Sequence, residues 1–188
     1  MKLLPLALSA FVLLAPACGK AVAAEAKKPA KSNQTNSDDM WVAKPQPASL
    51  PANVTHHTYR SAAMKRDVGY CIYLPPGYAQ DTTRRYPVIY HLHGAGGNET
   101  RTVHNAEVLH AGVLAGKWPE FIMVFPNGGR ATMYQDSADG RFPAETTFVK
   151  ELLPHIDATY RTIADRKGRC IEGFSMGGRD RKSTRLNS

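Results

Sequence analysis

The chain has no apolar run that would comfortably cross a bilayer, which argues against a transmembrane helix. Its apolar run over residues 3–17 is too short, follows Lys2, and precedes small residues at positions 21–24. This order is typical of a secretory signal. We expect residues 1–24 to be that signal and the protein to be secreted or periplasmic.

Cys18 supports an alternative. Residues 15–18, with the sequence APAC, loosely resemble a bacterial lipoprotein box, although Ala15 stands where leucine is usual. Lipidation of Cys18 would anchor the mature protein. Membrane association is expected only in that case.

The chain also has little excess charge once its two ends are set aside. The formal net charge is +8, but residues 1–24 hold two lysines, and residues 180–188 hold three basic residues and one acid. The remaining net charge is +4, so nothing calls for a nucleic-acid partner. Residues 25–53 are rich in Ala, Ser, Asn and Pro and are predicted to be a flexible, solvated leader.

The composition fits a globular protein. Hydrophobic residues make up 43% of the chain and charged residues 21%, unlike a disordered or fibrous sequence. The length leaves room for one domain, and no internal repeat is apparent. We place the domain at residues 54–179, followed by a polar tail at 180–188.

A nucleophile is indicated by residues 173–177, with the sequence GFSMG. In a G-x-S-x-G motif a sharp turn from strand to helix lifts the serine hydroxyl out of the sheet, and the glycines leave room for that turn. Residues 169–172 fit the end of a buried strand, and residues 176–178 fit the start of a helix. Ser175 is therefore the candidate nucleophile.

A second glycine-rich motif follows another strand-like run. Residues 87–92, PVIYHL, are typical of a central parallel strand and lead into residues 93–97, HGAGG. Glycines there let backbone N–H groups turn toward a substrate oxygen. The expected oxyanion-hole donors are backbone N–H groups near Gly94 and Ala95 together with that of Met176.

With these two motifs in this order, the chain resembles the esterase family of α/β-hydrolases, which includes esterase D, feruloyl and acetyl-xylan esterases, enterochelin esterases and mycolyltransferases. The resemblance spans residues 54–179 and also rests on YLPPGY at 73–78, FPNGG at 125–129 and ELLPHID at 151–157. It implies an α/β fold with a mostly parallel sheet flanked by helices. It also implies an exported serine carboxylic-ester hydrolase that needs no cofactor or metal and acts on small-molecule or carbohydrate-linked esters, such as feruloyl or acetyl esters.

The chain departs from the family pattern at the rest of the catalytic triad. In α/β-hydrolases an Asp or Glu and then a His follow the nucleophile. All seven histidines precede Ser175, and Asp180 lies only five residues beyond it, too close to orient a distant imidazole. We expect an incomplete, N-terminal portion of the fold that is inactive alone. Residues 180–188 resemble a translated sequencing adapter and are predicted to be non-native.

Five strands and one interrupted helix are predicted. Phe148, Leu152, Ile156 and Tyr160 recur every four residues, which predicts an apolar stripe on a helix. Pro154 predicts a kink or two short helices. The alternation of strands with helix favours a parallel sheet. The predicted strands are 55–62, 68–74, 86–93, 121–125 and 168–174.

Two cysteines, Cys71 and Cys170, remain after signal removal, and an exported protein can form a disulfide. In the family's sheet order their strands are three spacings apart, roughly 14 Å. A disulfide needs Cα atoms within about 7 Å. The resemblance thus implies two buried thiols.

Two polar patterns have weak metal-site character. His91 and His93 alternate on a predicted strand without a suitable third ligand. Residues 136–140, DSADG, have the rhythm of a calcium loop but lack its later ligands. We expect no metal. His93 is predicted to shape the oxyanion loop, and residues 136–140 to form a loop near the mouth of the active site.

Two other functions stay open at this stage. An acyltransferase of the same fold would differ only in whether an alcohol or water reaches the acyl-enzyme. A non-catalytic binding protein on a hydrolase core would explain the absent histidine without truncation. If native sequence ends near Arg179, residues 169–174 would form an exposed strand edge, and we expect such a fragment to be insoluble or molten.

Overall fold

The computed structural model describes residues 40–179. The predicted signal, Cys18, the leader up to residue 39 and the tail at 180–188 lie outside the described residues. In the described part of the chain, no helix is both long and apolar enough for a membrane span.

Five strands form one mixed sheet, and each predicted strand is present within two residues of its expected bounds. The strands are β1 Val54–Ser61, β2 Arg66–Tyr73, β3 Val88–Leu92, β4 Ile122–Pro126 and β5 Arg169–Gly173. Their order across the sheet is β1-β2-β4-β3-β5. β3 pairs in parallel with both β4 and β5, whereas β2 is antiparallel to β1 and β4. The predicted α/β class is confirmed, with β2 running against the other four strands.

Helices connect the parallel strands. α1, Asn105–Leu114, lies between β3 and β4 and was not predicted from the sequence. Between β4 and β5 the chain forms α2 (Ala144–Thr146), a π-helical segment (Thr147–Leu152) and α3 (Leu153–Thr159). The predicted interruption is confirmed, because the helical segment changes from π to α geometry beside Pro154, which stands in the first turn of α3. Short 3₁₀ turns occupy Pro47–Ser49, Pro76–Tyr78 and Arg166–Gly168.

The three middle strands of the sheet, β2, β4 and β3, are buried on both faces, whereas β1 and β5 are partly exposed. The apolar stripe of the interrupted helix covers one side, where it packs with alternate residues of β2, β3 and β4. α1 and the turn before it cover the other side. The first cluster includes Ile72, Tyr90, Leu92, Val124, Phe148, Leu152 and Ile156, and the second includes Cys71, Val103, Ala106, Met123 and Phe125.

The predicted solvated leader is wrong at Trp41, although several residues between 44 and 53 are exposed as expected. Trp41 is fully buried in the first cluster and stacks on Phe142 with ring centroids 6.1 Å apart. Its carbonyl oxygen accepts a hydrogen bond from the Gly69 N–H at 2.7 Å. Burial of this large aromatic side chain helps to offset the entropy cost of ordering the residues around it.

The prediction of two buried thiols is correct for Cys71 only. Cys71 is fully buried, and burial raises the pKa of its thiol to about 12. Cys170 is exposed, because the apolar cluster on its side of the sheet, within the described residues, includes nothing from β5. Three strand spacings separate the two cysteines, as expected.

Candidate active site

Ser175 lies at a sharp turn between β5 and a helix. β5 ends at Gly173, and residues 176–179 are helical. Ser175 is exposed and has a φ of 52°, a left-handed conformation that costs a non-glycine residue roughly 1–3 kcal/mol. The turn is closed by hydrogen bonds from the Gly177 N–H to the Phe174 carbonyl and from the Arg179 N–H to the Ser175 carbonyl, both at 3.0 Å. The motif therefore has the strand–turn–helix context that a nucleophile elbow requires.

The glycines of the motif allow the elbow to pack directly on the end of β3. A Cβ atom on Gly177 would lie 2.3 Å from the carbonyl oxygen of Leu92, and one on Gly173 would lie 2.7 Å from the same oxygen. The Phe174 N–H donates a hydrogen bond to that oxygen at 3.1 Å. No side chain fits in this interface, so both positions require glycine.

The predicted oxyanion loop lies beside the elbow. A Cβ atom on Gly94 would lie 3.4 Å from the Cβ of Ser175 and 3.2 Å from Cδ1 of Phe174. Ala95, the next residue of the loop, is exposed, and Met176 is buried at the start of the helix. Among residues 40–179, no group accepts a hydrogen bond from the backbone N–H of Gly94, Ala95 or Met176. The fold thus brings the two motifs together and leaves their predicted donors available.

His93 fixes the conformation of this loop. Its Nε2 accepts a hydrogen bond from the Gly128 N–H at 3.1 Å, so the ring proton is on Nδ1, which donates to the carbonyl oxygen of Gly94 at 2.8 Å. Burial lowers the pKa of His93 and keeps the ring neutral. Because the C=O and N–H of a peptide unit point in opposite directions, anchoring the Gly94 carbonyl also directs the Ala95 N–H. The predicted structural role of His93 is supported by this geometry.

His91 is engaged elsewhere. Its Nδ1 lies 2.9 Å from Oε1 of Glu172, its register partner on β5, and its Nε2 lies 3.4 Å from Nδ2 of Asn105 in α1. The hydrogen bond with His91 lowers the pKa of Glu172. His91 and His93 thus have different partners, and the described part of the chain holds no group of three or more possible metal ligands.

The carboxylates of residues 136–140 accept hydrogen bonds from their own loop and from the helix that follows it. Asp136 accepts hydrogen bonds from the N–H and the hydroxyl of Thr146 at 3.0 and 2.6 Å, at the start of the interrupted helix. Asp139 accepts from the Ser137 hydroxyl and the Arg141 N–H, and these bonds lower its pKa to about 2. That residues 136–140 lie near the mouth of the active site stays a prediction.

Three buried residues around the loop were not identified from the sequence as part of the site. The Tyr134 hydroxyl accepts a hydrogen bond from the His93 N–H at 2.9 Å. Asn127 and Glu99 hydrogen-bond to each other at 2.6 Å. Glu99 gave no signal because a carboxylate in a loop is usually solvated, whereas Asn127 lies inside the FPNGG stretch that carried the family resemblance.

Curated relatives of this chain include proteins named as esterases. "Esterase MT1326" of Mycobacterium tuberculosis is 35% identical over 127 residues, which are 65% of this chain and 27% of that protein. An endo-1,4-beta-xylanase/feruloyl esterase of Xylanibacter ruminicola is 36% identical over 120 residues, 59% of this chain and 16% of that protein. The chain therefore spans only about a quarter, or less, of the length of these relatives.

Solved structures share the fold. A ferulic acid esterase superimposes with a TM-score of 0.61 at 34% identity, over 66% of this chain and 51% of that chain. An S-formylglutathione hydrolase from Agrobacterium tumefaciens superimposes with a TM-score of 0.59 at 18% identity, over 72% of this chain and 53% of that chain. The chain thus spans about half the length of these α/β-hydrolase-fold enzymes.

The family model described as "Putative esterase" matches residues 61–179. This stretch contains the elbow, the oxyanion loop and most of the described sheet. The chain belongs to this family of esterases.

Proposed function

We propose that residues 40–179 supply the nucleophile and the oxyanion loop of an exported serine carboxylic-ester hydrolase that acts through an acyl-enzyme. The observation that carries the proposal is the juxtaposition of the strained, exposed Ser175 with Gly94. A nucleophile and a loop of unpaired N–H donors at the ends of adjacent parallel strands are the parts that acyl transfer requires.

The reaction follows from these parts. Ser175 Oγ attacks the ester carbonyl carbon, and its proton passes to a general base. The carbonyl oxygen becomes an oxyanion that accepts hydrogen bonds from the N–H groups of Met176 and Ala95 or Gly94. Collapse of the tetrahedral intermediate expels the alcohol and leaves an acyl-serine, which water then hydrolyses by the reverse sequence.

The general base and its orienting carboxylate belong, in our proposal, to sequence beyond residue 179. His93 uses Nε2 to accept from the Gly128 N–H. His91 donates from Nδ1 to Glu172, and its Nε2 accepts from Asn105 Nδ2 at 3.4 Å. Neither imidazole has a lone pair to spare for the serine. The chain as given should therefore show at most slight turnover, which the oxyanion donors alone support.

The proposed substrates are carbohydrate-linked feruloyl or acetyl esters. Support comes from the names of two relatives, a ferulic acid esterase at 34% identity and a xylanase/feruloyl esterase at 36% identity. Export through residues 1–24 would bring the enzyme to such polymers, which cannot enter a cell.

The test uses the full-length protein with methyl ferulate and p-nitrophenyl acetate as substrates, and a fluorophosphonate as a covalent probe of the nucleophile. Wild type should turn over at least one ester, and mass spectrometry should find the probe on Ser175. Ser175→Ala should abolish both signals. Ser49→Ala, which removes a hydroxyl that donates to the nearby Gln46 carbonyl, should leave them unchanged. Turnover that survives in Ser175→Ala, or a probe attached elsewhere, would contradict the proposal.

A further inference from the structure

Glu99 is a buried carboxylate directly behind the oxyanion loop. The residue is only 1% exposed. Its Oε1 accepts hydrogen bonds from the Ala43 N–H at 2.7 Å and from His56 Nε2 at 3.0 Å, and its Oε2 accepts one from Asn127 Nδ2 at 2.6 Å. A buried carboxylate is tolerated only with such partners. Three donors from three separate segments therefore converge on one side chain.

The backbone of β2 leaves a place for this carboxylate. A Cβ atom on Gly69 would lie 1.9 Å from Oε1 of Glu99. Gly69 also donates its N–H to the Trp41 carbonyl at 2.7 Å and accepts at its own carbonyl from the Asn127 N–H at 3.0 Å. The site is thus built into the sheet and does not depend on a flexible surface loop.

Asn127 has a fixed amide orientation. Its Nδ2 donates to Glu99 and also to the Met40 carbonyl at 3.1 Å, and its Oδ1 accepts from the Gly129 N–H at 2.9 Å. Reversing the amide would break all of these bonds. Asn127 therefore cannot adapt if Glu99 ceases to be an acceptor.

The turn that Asn127 holds continues to the oxyanion loop. Gly128, the next residue, donates its N–H to His93, and His93 in turn donates to the Gly94 carbonyl. A second link joins the same segments, because the Gly96 N–H donates to the Arg130 carbonyl at 2.7 Å. Hydrogen bonds, joined by the peptide bond between Asn127 and Gly128, thus lead from Glu99 to the peptide beside Ser175.

We propose that Glu99 is a positioning residue for the oxyanion hole: through Asn127 and Gly128 it holds His93 in the tautomer that fixes the Gly94–Ala95 peptide. The inference rests on the proposed hydrolase function. It assigns the buried carboxylate a role in transition-state geometry, beyond its contribution to stability. Since oxyanion donors act mainly on the transition state, disturbing them should change kcat more than KM.

Glu99→Gln in the full-length protein tests this role. The amide keeps the shape of the side chain but turns an N–H₂ group either toward Asn127 Nδ2 or toward the Ala43 N–H and His56. We expect kcat to fall about 10- to 100-fold, as for a displaced oxyanion donor, with KM within about threefold of wild type. Ring ¹⁵N NMR of His93 should show loss of the pure Nδ1–H form. In the double variant Glu99→Gln with Asn127→Asp, the amide at position 99 can donate to the carboxylate at position 127, so the hydrogen bond is kept with donor and acceptor exchanged. This variant should recover part of the loss in kcat.

Glu151→Gln is the matched control. Glu151 is a half-buried carboxylate that accepts hydrogen bonds from the Ala63 N–H at 2.9 Å and from the Ser61 hydroxyl, away from the loop. The Glu151→Gln variant should have a lower melting temperature than wild type, with unchanged kcat and unchanged His93 NMR signals. A folded Glu99→Gln protein with the kcat and His93 signals of wild type would overturn the proposal.

Two further outcomes are also decisive. If Glu99→Gln does not fold, Asn127→Ala takes its place, since it leaves the Glu99 carboxylate two of its three donors. Unchanged kcat in that variant would overturn the proposal. A loss of kcat with little change in KM would support it. If wild type has no esterase activity, or if activity persists in Ser175→Ala, the proposed function fails. The His93 NMR comparison then still decides whether Glu99 positions the loop.

Discussion

Gly94 and Ser175 face each other across two neighbouring loops, with only 3.4 Å between the Cβ of Ser175 and the position that a Cβ on Gly94 would take. The loops follow β3 and β5, which pair in parallel. Because parallel strands end at the same edge of a sheet, residues far apart in sequence meet there. The meeting of these two residues links the sequence motifs to one site.

Gly94→Ala should impair catalysis more than stability. The added methyl would lie 3.2 Å from Cδ1 of Phe174, whose exposed ring can turn away, and 3.4 Å from the Ser175 Cβ, so it would crowd the nucleophile without displacing the backbone. We expect kcat in the full-length enzyme to fall roughly 10-fold or more. Gly116→Ala is the control: its Cβ meets nothing within 4 Å, but its φ of 66° strains the backbone. It should cost about 1 kcal/mol of stability and leave kcat unchanged; an equal loss of kcat in both variants would contradict this prediction.

Acidification should destabilise the protein through His93. Burial lowers its pKa below the ordinary 6.5, so above pH 6.5 the ring is neutral in both the folded and the unfolded states, and its full contribution is present. As the pH falls below 6.5, the unfolded state takes up a proton that the folded state does not, and stability decreases by at most about 1.4 kcal/mol per pH unit. Urea unfolding between pH 5 and pH 8, compared between wild type and His93→Gln, measures this contribution. A pH dependence that is identical in the two proteins would show that His93 does not carry it.

The sequence predicted those parts of the fold whose signals are local. The strands and the stripe of Phe148, Leu152 and Ile156 follow from periodicity, and the elbow from residue identity. α1 was missed because, of its ten residues, only Ala106 and Gly112 are buried, so the helix presents no strong apolar stripe.

Long-range burial was the other source of error. Trp41 belongs to the core although its neighbours in sequence are polar, and Glu99 is buried only because β2, the turn after β4 and residue 43 all supply donors or space. Neither fact has a local signature. The sequence therefore predicted the reacting groups of the site, Ser175 and the backbone donors. It did not predict the buried residues that hold those groups in place.

Tyr134→Phe should be costly, whereas Tyr90→Phe should not. The Tyr134 hydroxyl accepts a hydrogen bond from the His93 N–H at 2.9 Å, and its removal leaves a buried backbone donor unpaired, at a cost of about 1–3 kcal/mol. The Tyr90 hydroxyl is equally buried but has no hydrogen-bond partner in the described part of the chain. Its removal should be neutral or stabilising. Chemical denaturation of the two variants checks the contrast, and equal effects would be evidence against the assigned bond.

Gly177→Ala should be among the most destabilising small substitutions in the chain. The new methyl would lie 2.3 Å from the Leu92 carbonyl oxygen and 2.5 Å from its Cβ, and neither atom can move without displacing β3 or the elbow. Overpacking of this kind costs typically 1–3 kcal/mol and occasionally more.

Gly112→Ala in α1 is the matched comparison for Gly177→Ala. Its methyl would lie 2.2 Å from the Trp118 ring, but that side chain is 42% exposed and can rotate into solvent. Replacing a helical glycine by alanine also gains about 1 kcal/mol in helix propensity. Urea unfolding of the full-length variants should therefore rank Gly177→Ala well below wild type and Gly112→Ala near it. Comparable losses of stability in the two variants would contradict this prediction. They would mean that the elbow can move as easily as an exposed side chain, and that close packing on β3 is not the reason for glycine at position 177.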